Sequence, residues 1–269
     1  MLLSFVLGLI FGSFFNSLIF RLERKESFIF SRSYCPYCKT TLKFLDLIPL
    51  FSFLFLKGKC RYCGKKISWR YFFGELITGI LFLSFYIKFF NILPLFWQRL
   101  IFTIYWLGFL CFLFLLAYYD FRTQYVSLKI LIAGYIFWLI FFGLKSYFRL
   151  NFLDFNFLET LDSIFNLKFS LKILFNLAFS LIFLIVAFYG GLGYGDVPTI
   201  FLIGLFLKPP ELVFSIFLAG IFGTIISLPF LIFKKYTLKT RLPFLPFLFL
   251  GVWVTILFGN EISKILFNF

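Results

Sequence analysis

Eleven acidic residues and no histidine limit what this 269-residue chain can do chemically. Without histidine there is no Ser-His-Asp or Cys-His hydrolase, no H-E-x-x-H metalloprotease and little scope for catalytic zinc. Carboxylates, a Ser-Lys pair or no catalysis at all remain. Two acids stand apart from the rest: Asp120 ends the apolar run "CFLFLLAYYD", and Asp196 ends the glycine turn "GGLGYGD". Paired carboxylates can hydrolyse a peptide bond, the ionised one taking a proton from the attacking water and the protonated one donating to the carbonyl oxygen. Beside Asp196, Gly193 and Gly195 carry no side chain, so an extended substrate backbone can approach the acid closely. Taken singly, Asp120 also reads as a boundary acid paired with Arg122, and Asp196 as a loop acid. Together the two favour catalysis.

A second group of chemistry-bearing residues lies upstream. Cys35, Cys38, Cys60 and Cys63, in "SYCPYCKTTLKF" and "GKCRYCGKK", are spaced C-x2-C-x21-C-x2-C. Two such knuckles complete a tetrahedral zinc site, and thiolates suit the borderline softness of that ion. A closed set of four sulfurs leaves no position for water or substrate, so the metal is expected to be structural. It would hold together about 50 residues, too few to build a good core alone. Two disulfides are the alternative, disfavoured by the reducing compartment in which the topology places this stretch. Cys111, in the middle of an apolar run, reads as a small apolar residue.

These groups must be positioned by a chain built for lipid. Hydrophobic residues make up 62% of it, and apolar runs of about 17 to 22 residues recur, the length of a bilayer-spanning helix. Candidate spans cover residues 2–20, 71–88, 100–118, 128–144, 172–189, 197–208, 211–233 and 243–259. The expected fold is an all-α polytopic membrane protein of about eight transmembrane helices, with a small cytoplasmic zinc-ribbon-like domain inserted between helices 1 and 2. The expected domains are a first transmembrane helix (1–20), a cytoplasmic four-cysteine zinc-binding domain (21–70) and a membrane catalytic domain (71–269). Residues 197–208 are short for a full crossing and the last span opens with Pro243 and Pro246, so both read as tilted or partly broken helices. The first span has neither a basic leader nor a small-residue cleavage site and is expected to be retained. The 49 phenylalanines are scattered through every apolar run in place of Leu or Val and carry little functional information.

Orientation follows from the basic residues. With the N-terminus outside, the inner segments 21–70, 119–129, 190–197 and 234–241 hold 12, 2, 0 and 4 of them, which is 18 of 26. The outer loop 145–171 offsets its basic residues with Asp154, Glu159 and Asp162. Topology and attraction to anionic lipid account for the net charge of +15, so no nucleic acid is called for. In this arrangement Asp120 and Asp196 stand at the same inner membrane boundary, where ionisable groups are costly and more often functional than decorative.

At this point the chain resembles the bacterial type IV prepilin peptidases, membrane aspartic proteases of the G-x-G-D kind. "GSFFNSLIFRL", the two C-x-x-C knuckles, "DLIPLFSFLFLKGKCRYCGKKISWRYFFGELITG", "YYDFRTQ" and "GLGYGD" stand in that family's order and spacing. The resemblance implies that Asp120 and Asp196 are the catalytic pair. It implies an enzyme of the bacterial inner membrane that removes the short basic leader of type IV prepilins or pseudopilins at the cytoplasmic face, usually after a glycine. The new N-terminal residue is then methylated with S-adenosylmethionine. Two positions depart from the family pattern: Pro198 stands where a lysine often follows the second aspartate, and "QYVSLK" has Ser127 and no proline, which suggests a looser helix start.

Other polar residues keep two readings. Glu75 and Arg70 serve either as substrate contacts or as an ion pair at the inner boundary, the ion pair being favoured. Asn16 and Arg21 read by default as helix-packing residues. Pro243 and Pro246 are expected to shape the start of the last helix rather than touch substrate. A recognition surface made of lipid and the substrate's apolar segment is expected, because a basic leader gains nothing from a basic domain. A presenilin-like protease cutting inside the bilayer would place its aspartates deeper and carry no four-cysteine ribbon. A non-enzymatic transporter or assembly scaffold, using the two aspartates as ion or proton sites, is the alternative from another class. It would be expected to show inverted repeats, and no convincing ones are present.

Overall fold

The computed structural model of the protein describes residues 1–26, 32–90, 95–148, 150, 169–190, 192–232 and 242–267. The chain forms two compact units, Met1–Pro94 and Leu95–Phe269. Among the described residues the regular structure is helical, with two isolated antiparallel bridges, Tyr34 with Thr41 and Lys59 with Lys66. Among the described residues seven helices are long and apolar enough to cross a membrane, and Asp196–Phe206 is a shorter apolar one. These are the eight apolar segments expected from the sequence, with 197–208 short as anticipated. The acids of the expected outer loop, Asp154, Glu159 and Asp162, and the basic stretch 234–241 lie outside the described residues.

In the first unit, helix α1 (Leu2–Arg24) and helix α3 (Trp69–Phe89) run side by side in opposite directions. Small residues let the backbones meet. A Cβ on Gly8 would lie 2.5 Å from the Thr78 carbonyl oxygen, and one on Gly12 would lie 2.7 Å from the Glu75 Cα. Without a hydrophobic drive between helices in lipid, such close backbone packing and interhelical hydrogen bonds supply the association. The Asn16 amide adds one, donating to the Tyr71 carbonyl at 3.0 Å, and Ser4 donates to the Phe82 carbonyl at 2.8 Å. Asn16 therefore has the helix-packing role that its surroundings in the sequence suggested. Between these helices lie a 3-10 turn (Phe44–Asp46), the five-residue helix α2 (Phe51–Phe55) and the two cysteine knuckles.

The second unit is organised around helix α4 (Phe96–Thr123), whose apolar window is 61% buried against 17% for that of helix α6 (Phe169–Phe188). An apolar stretch with little polar character on any side is what a central membrane helix requires. Helix α5 (Leu128–Phe148), the short helix α7 (Asp196–Phe206), helix α8 (Pro209–Ile232) and helix α9 (Leu245–Phe267) complete it. Helix α7 is wedged in tightly. The ring of Phe206 stacks on Phe109 of α4 at 4.1 Å, and a Cβ on Gly134 of α5 would lie 2.9 Å from Leu202. Asn176 of α6 fills the notch at Gly204. Helices α4, α5 and α6 thus each meet α7, which fixes the height and rotation of its first residue, Asp196.

Candidate active site and metal centre

Asp120 and Asp196 both belong to the second unit, and both are buried. Asp120 sits in the last turn of α4, four residues before the left-handed Gln124 that ends the helix with an N–H to the Asp120 carbonyl at 2.7 Å. A carboxylate at a helix C-terminus is disfavoured by that helix's own dipole. Compensation comes from another helix: the Leu245 N–H, at the first residue of α9, donates to Asp120 Oδ2 at 3.1 Å. Helix N-termini present such N–H groups to anions without further preparation. Pro243 and Pro246 bracket this start, so the prolines shape the helix N-terminus that holds the acid, as expected.

Asp196 is the first residue of α7, where the dipole favours a negative charge. The Gly193 N–H donates to its Oδ2 at 3.2 Å, and Thr199 folds back to donate to the Gly195 carbonyl at 3.2 Å. Asp120 lies within electrostatic reach of the Asp196 carboxylate. The structure therefore brings together the two acids that the sequence singled out. One oxygen of each is engaged by a backbone N–H, and the other accepts no hydrogen bond among the described residues.

Both glycines of the turn have an internal reason to be glycine. A Cβ on Gly195 would lie 2.5 Å from Cγ2 and 2.8 Å from Cβ of Val126, in the turn that follows α4. A Cβ on Gly193 would lie 3.2 Å from the Asp196 carboxylate itself. The first contact is what docks the turn after Asp120 onto the turn before Asp196. From the other side, the Tyr135 hydroxyl of α5 donates to the Pro198 carbonyl at 2.7 Å, holding the first turn of α7. Pro198 occupies the third position of that helix, where its missing N–H has no partner to lose. At the other departure from the family pattern, the Leu131 N–H bonds to the Ser127 carbonyl at 3.0 Å, so α5 starts on a hydrogen-bonded turn. Val126, Tyr135 and Leu245 carry no signal in the sequence: two act through packing or a carbonyl, and one through its backbone.

The four cysteines gather in the first unit, their sulfurs all within 4.8 Å of one another and Cys35 and Cys63 at 3.9 Å. Sulfurs held tetrahedrally at about 2.3 Å from a zinc ion lie about 3.8 Å apart, whereas a disulfide needs about 2.05 Å. The donor set fits a metal, and the cysteines are free thiols. Each knuckle is built in the same way. The N–H of Lys39 or Gly64 bonds to the carbonyl of Cys35 or Cys60 at 2.9 Å, and both residues take the left-handed conformation that turns the chain around the sulfurs. Hydrogen bonds from the Thr40 side chain and backbone bring the Cys38 thiol down to about 6. The Lys65 backbone N–H lowers Cys63, but desolvation and the three neighbouring thiols outweigh it and push that thiol up to about 11.

Glu75, in α3, lies at the foot of this insert. Its Oε2 accepts the Leu50 N–H at 2.8 Å. Asp46 ties the 3-10 turn to the second knuckle through Arg61 at 2.8 Å and the Tyr62 hydroxyl at 3.0 Å.

Comparison with known proteins bears on both units. Residues 6–89 match the family described as Bacterial Peptidase A24 N-terminal domain, and residues 107–228 match the Type IV leader peptidase family. A prepilin leader peptidase/N-methyltransferase of Bacillus subtilis is 31% identical over 258 residues, covering 96% of this chain and 94% of its own. One of Pseudomonas aeruginosa is 26% identical over 293 residues, covering 100% and 93%. One of Klebsiella pneumoniae is 50% identical over 84 residues, 29% of this chain and 37% of its own. No solved structure matches.

Proposed function

The chain belongs to the type IV leader peptidase family, and from that premise we infer that Asp120 and Asp196 are the catalytic dyad of a prepilin-cleaving aspartic endopeptidase. The observation that carries this reading is that two buried acids stand on turns packed against each other, Val126 after Asp120 meeting Gly195 before Asp196, each acid with one carboxylate oxygen held by a backbone N–H. Two carboxylates that face one another are eased when the pair shares one proton. In the reaction the ionised carboxylate accepts a proton from water as its oxygen attacks the scissile carbonyl, and the protonated carboxyl donates to the carbonyl oxygen. Collapse of the tetrahedral intermediate returns a proton to the leaving amine, breaks the C–N bond and leaves the pair again sharing one proton. The two N–H donors leave one oxygen of each acid for this exchange.

The substrate class is a prepilin or pseudopilin whose basic leader lies in the cytosol and whose apolar helix lies in the bilayer. Such a substrate meets acids at the inner boundary, consistent with an N-terminus outside and with the 21–70 insert in the cytoplasm. The four cysteines bind structural zinc and no substrate, while residues 71–269 include both acids of the dyad. Gly193 and Gly195 serve the dyad by letting Val126 and the Asp196 carboxylate pack against the turn, and the peptide is read beside them. Glu75 positions the insert. N-methylation of the new N-terminus with S-adenosylmethionine is the second activity, supported by the names of the relatives. No residue is assigned to that cofactor. The test is to incubate the zinc-loaded protein in lipid with a prepilin-like peptide and S-adenosylmethionine, and to weigh both products. Cleavage after the glycine, with a mass gain of one methyl group on the mature peptide, is expected. A protein that never cuts a panel of such peptides overturns the reading in favour of a transporter or scaffold.

A further inference from the structure

The segment between the two knuckles exposes more apolar surface than a water-facing insert tolerates. Phe44 is 81% and Phe55 83% exposed, and Leu45, Phe51 and Leu54 are exposed with them. Of the five residues of α2, Phe53 alone is buried, its ring 4.9 Å from Trp69 and 5.5 Å from Phe72. Those contacts place α2 beside the first turn of the membrane-spanning helix α3. The Glu75 bond to the Leu50 N–H places the segment deeper still. Glu75 lies six residues into α3, about 9 Å along its axis. Gly12, whose Cβ position would lie 2.7 Å from the Glu75 Cα, is nine residues before Arg21 and so about 13 Å inside the basic end of α1.

The backbone is prepared for such a depth. The N–H of Leu50 goes to Glu75, that of Phe51 to the Pro49 carbonyl, that of Ser52 to Ile48, that of Leu54 to Leu50, and that of Leu56 to Ser52. In hydrocarbon an unsatisfied N–H is costly, and irregular chain is tolerated only where its polar groups are paired. Lys43, Lys57 and Lys59 flank the apolar stretch, and the acid among them, Asp46, is paired with Arg61. Apolar and aromatic residues with lysines at the margins are the pattern of a segment seated at the headgroup level of an anionic bilayer.

We propose that residues 44–56 form a membrane-inserted finger that seats Phe51, Leu54 and Phe55 in the lipid interface and anchors the metal-binding insert to the bilayer surface. Its occupant is lipid, with anionic headgroups meeting Lys43, Lys57 and Lys59. Glu75 is the positioning residue that pins the finger to α3. This inference is independent of the peptidase reading, because its test does not involve cleavage.

The experiment uses the full-length, zinc-loaded protein in nanodiscs of phosphatidylcholine and phosphatidylglycerol. A nitroxide is attached at Phe55→Cys, at Leu54→Cys or, as a control on the exposed knuckle, at Lys65→Cys, each in a Cys111→Ser background with the four metal-bound cysteines protected. Retained zinc reports the fold of each variant. Power-saturation resonance then compares collision with oxygen, which concentrates in lipid, and with a water-soluble nickel chelate. The ratio of oxygen to chelate accessibility at positions 54 and 55 is expected to exceed that at 65 several-fold. A ratio equal to that at 65 overturns the proposal by placing the finger in water. Shielding from both reagents overturns it as well, because the face is then covered by protein.

Discussion

Substitution of Gly195 by alanine separates a glycine needed for packing from one needed for substrate. The new Cβ would stand 2.5 Å from Cγ2 and 2.8 Å from Cβ of Val126. Carbon atoms rest at about 3.5 Å or more, so either Val126 or the start of α7 must move by about 1 Å. Overpacking of this size costs about 1–3 kcal/mol. A displacement of about 1 Å at a catalytic group costs on the order of 100-fold in rate. Because Asp196 is the residue after Gly195, the shift passes directly into the dyad, and kcat should fall by about that factor. Val126→Gly removes both clashing atoms, so the double variant Gly195→Ala/Val126→Gly should recover most of the loss. The assay is turnover of a prepilin-like peptide for the four members of this cycle, with thermal unfolding measured in parallel. The reasoning is refuted if Gly195→Ala keeps full activity, or if the double variant is no faster than Gly195→Ala alone. The second result would mean that the glycine faces substrate and not Val126.

Tyr135→Phe removes the hydroxyl that holds the Pro198 carbonyl; a stability loss of about 1 kcal/mol and a lower kcat with KM little changed are expected, measured by unfolding and steady-state kinetics in the same lipid. Glu75→Ala leaves the Leu50 N–H without an acceptor, a loss of about 1–3 kcal/mol, whereas Glu75→Gln keeps an oxygen there and should melt close to the parent; equal melting of Ala and Gln variants would count against the role given to Glu75. Cys60→Ser, or treatment with a strong chelator, should remove the metal and lower the melting temperature of the insert, with one zinc per chain found by elemental analysis only in the unmodified, untreated protein.

The chemistry was legible where residue types are scarce. With eleven acids, no histidine and five cysteines, Asp120, Asp196 and the four-cysteine spacing could be placed by elimination and spacing, and the structure gathers each set in one place. Spans were legible from length and apolarity, including the shortness of α7. What was hidden is whatever acts through shape or backbone. The Leu245 N–H on Asp120 depends on a helix 125 positions away in the chain. The match between Gly195 and Val126 is a steric fit with no pattern to announce it. From the sequence the approach of an extended substrate is reason enough for the glycines; the structure adds a second reason, the contact a Cβ on Gly195 would make with Val126. Glu75 illustrates the same limit: an acid near an arginine reads as an ion pair, whereas the bond found at its carboxylate comes from the Leu50 N–H.

The most direct test of the dyad is the cleavage rate of Asp120→Asn and Asp196→Asn beside the parent, each in lipid with its zinc content confirmed. Asparagine keeps the size and an oxygen for the Leu245 or Gly193 N–H, so both variants should fold and bind metal. Both are predicted to yield no product by mass spectrometry on a time scale at which the parent converts all of its substrate. Either variant cutting at the parental rate would contradict the account.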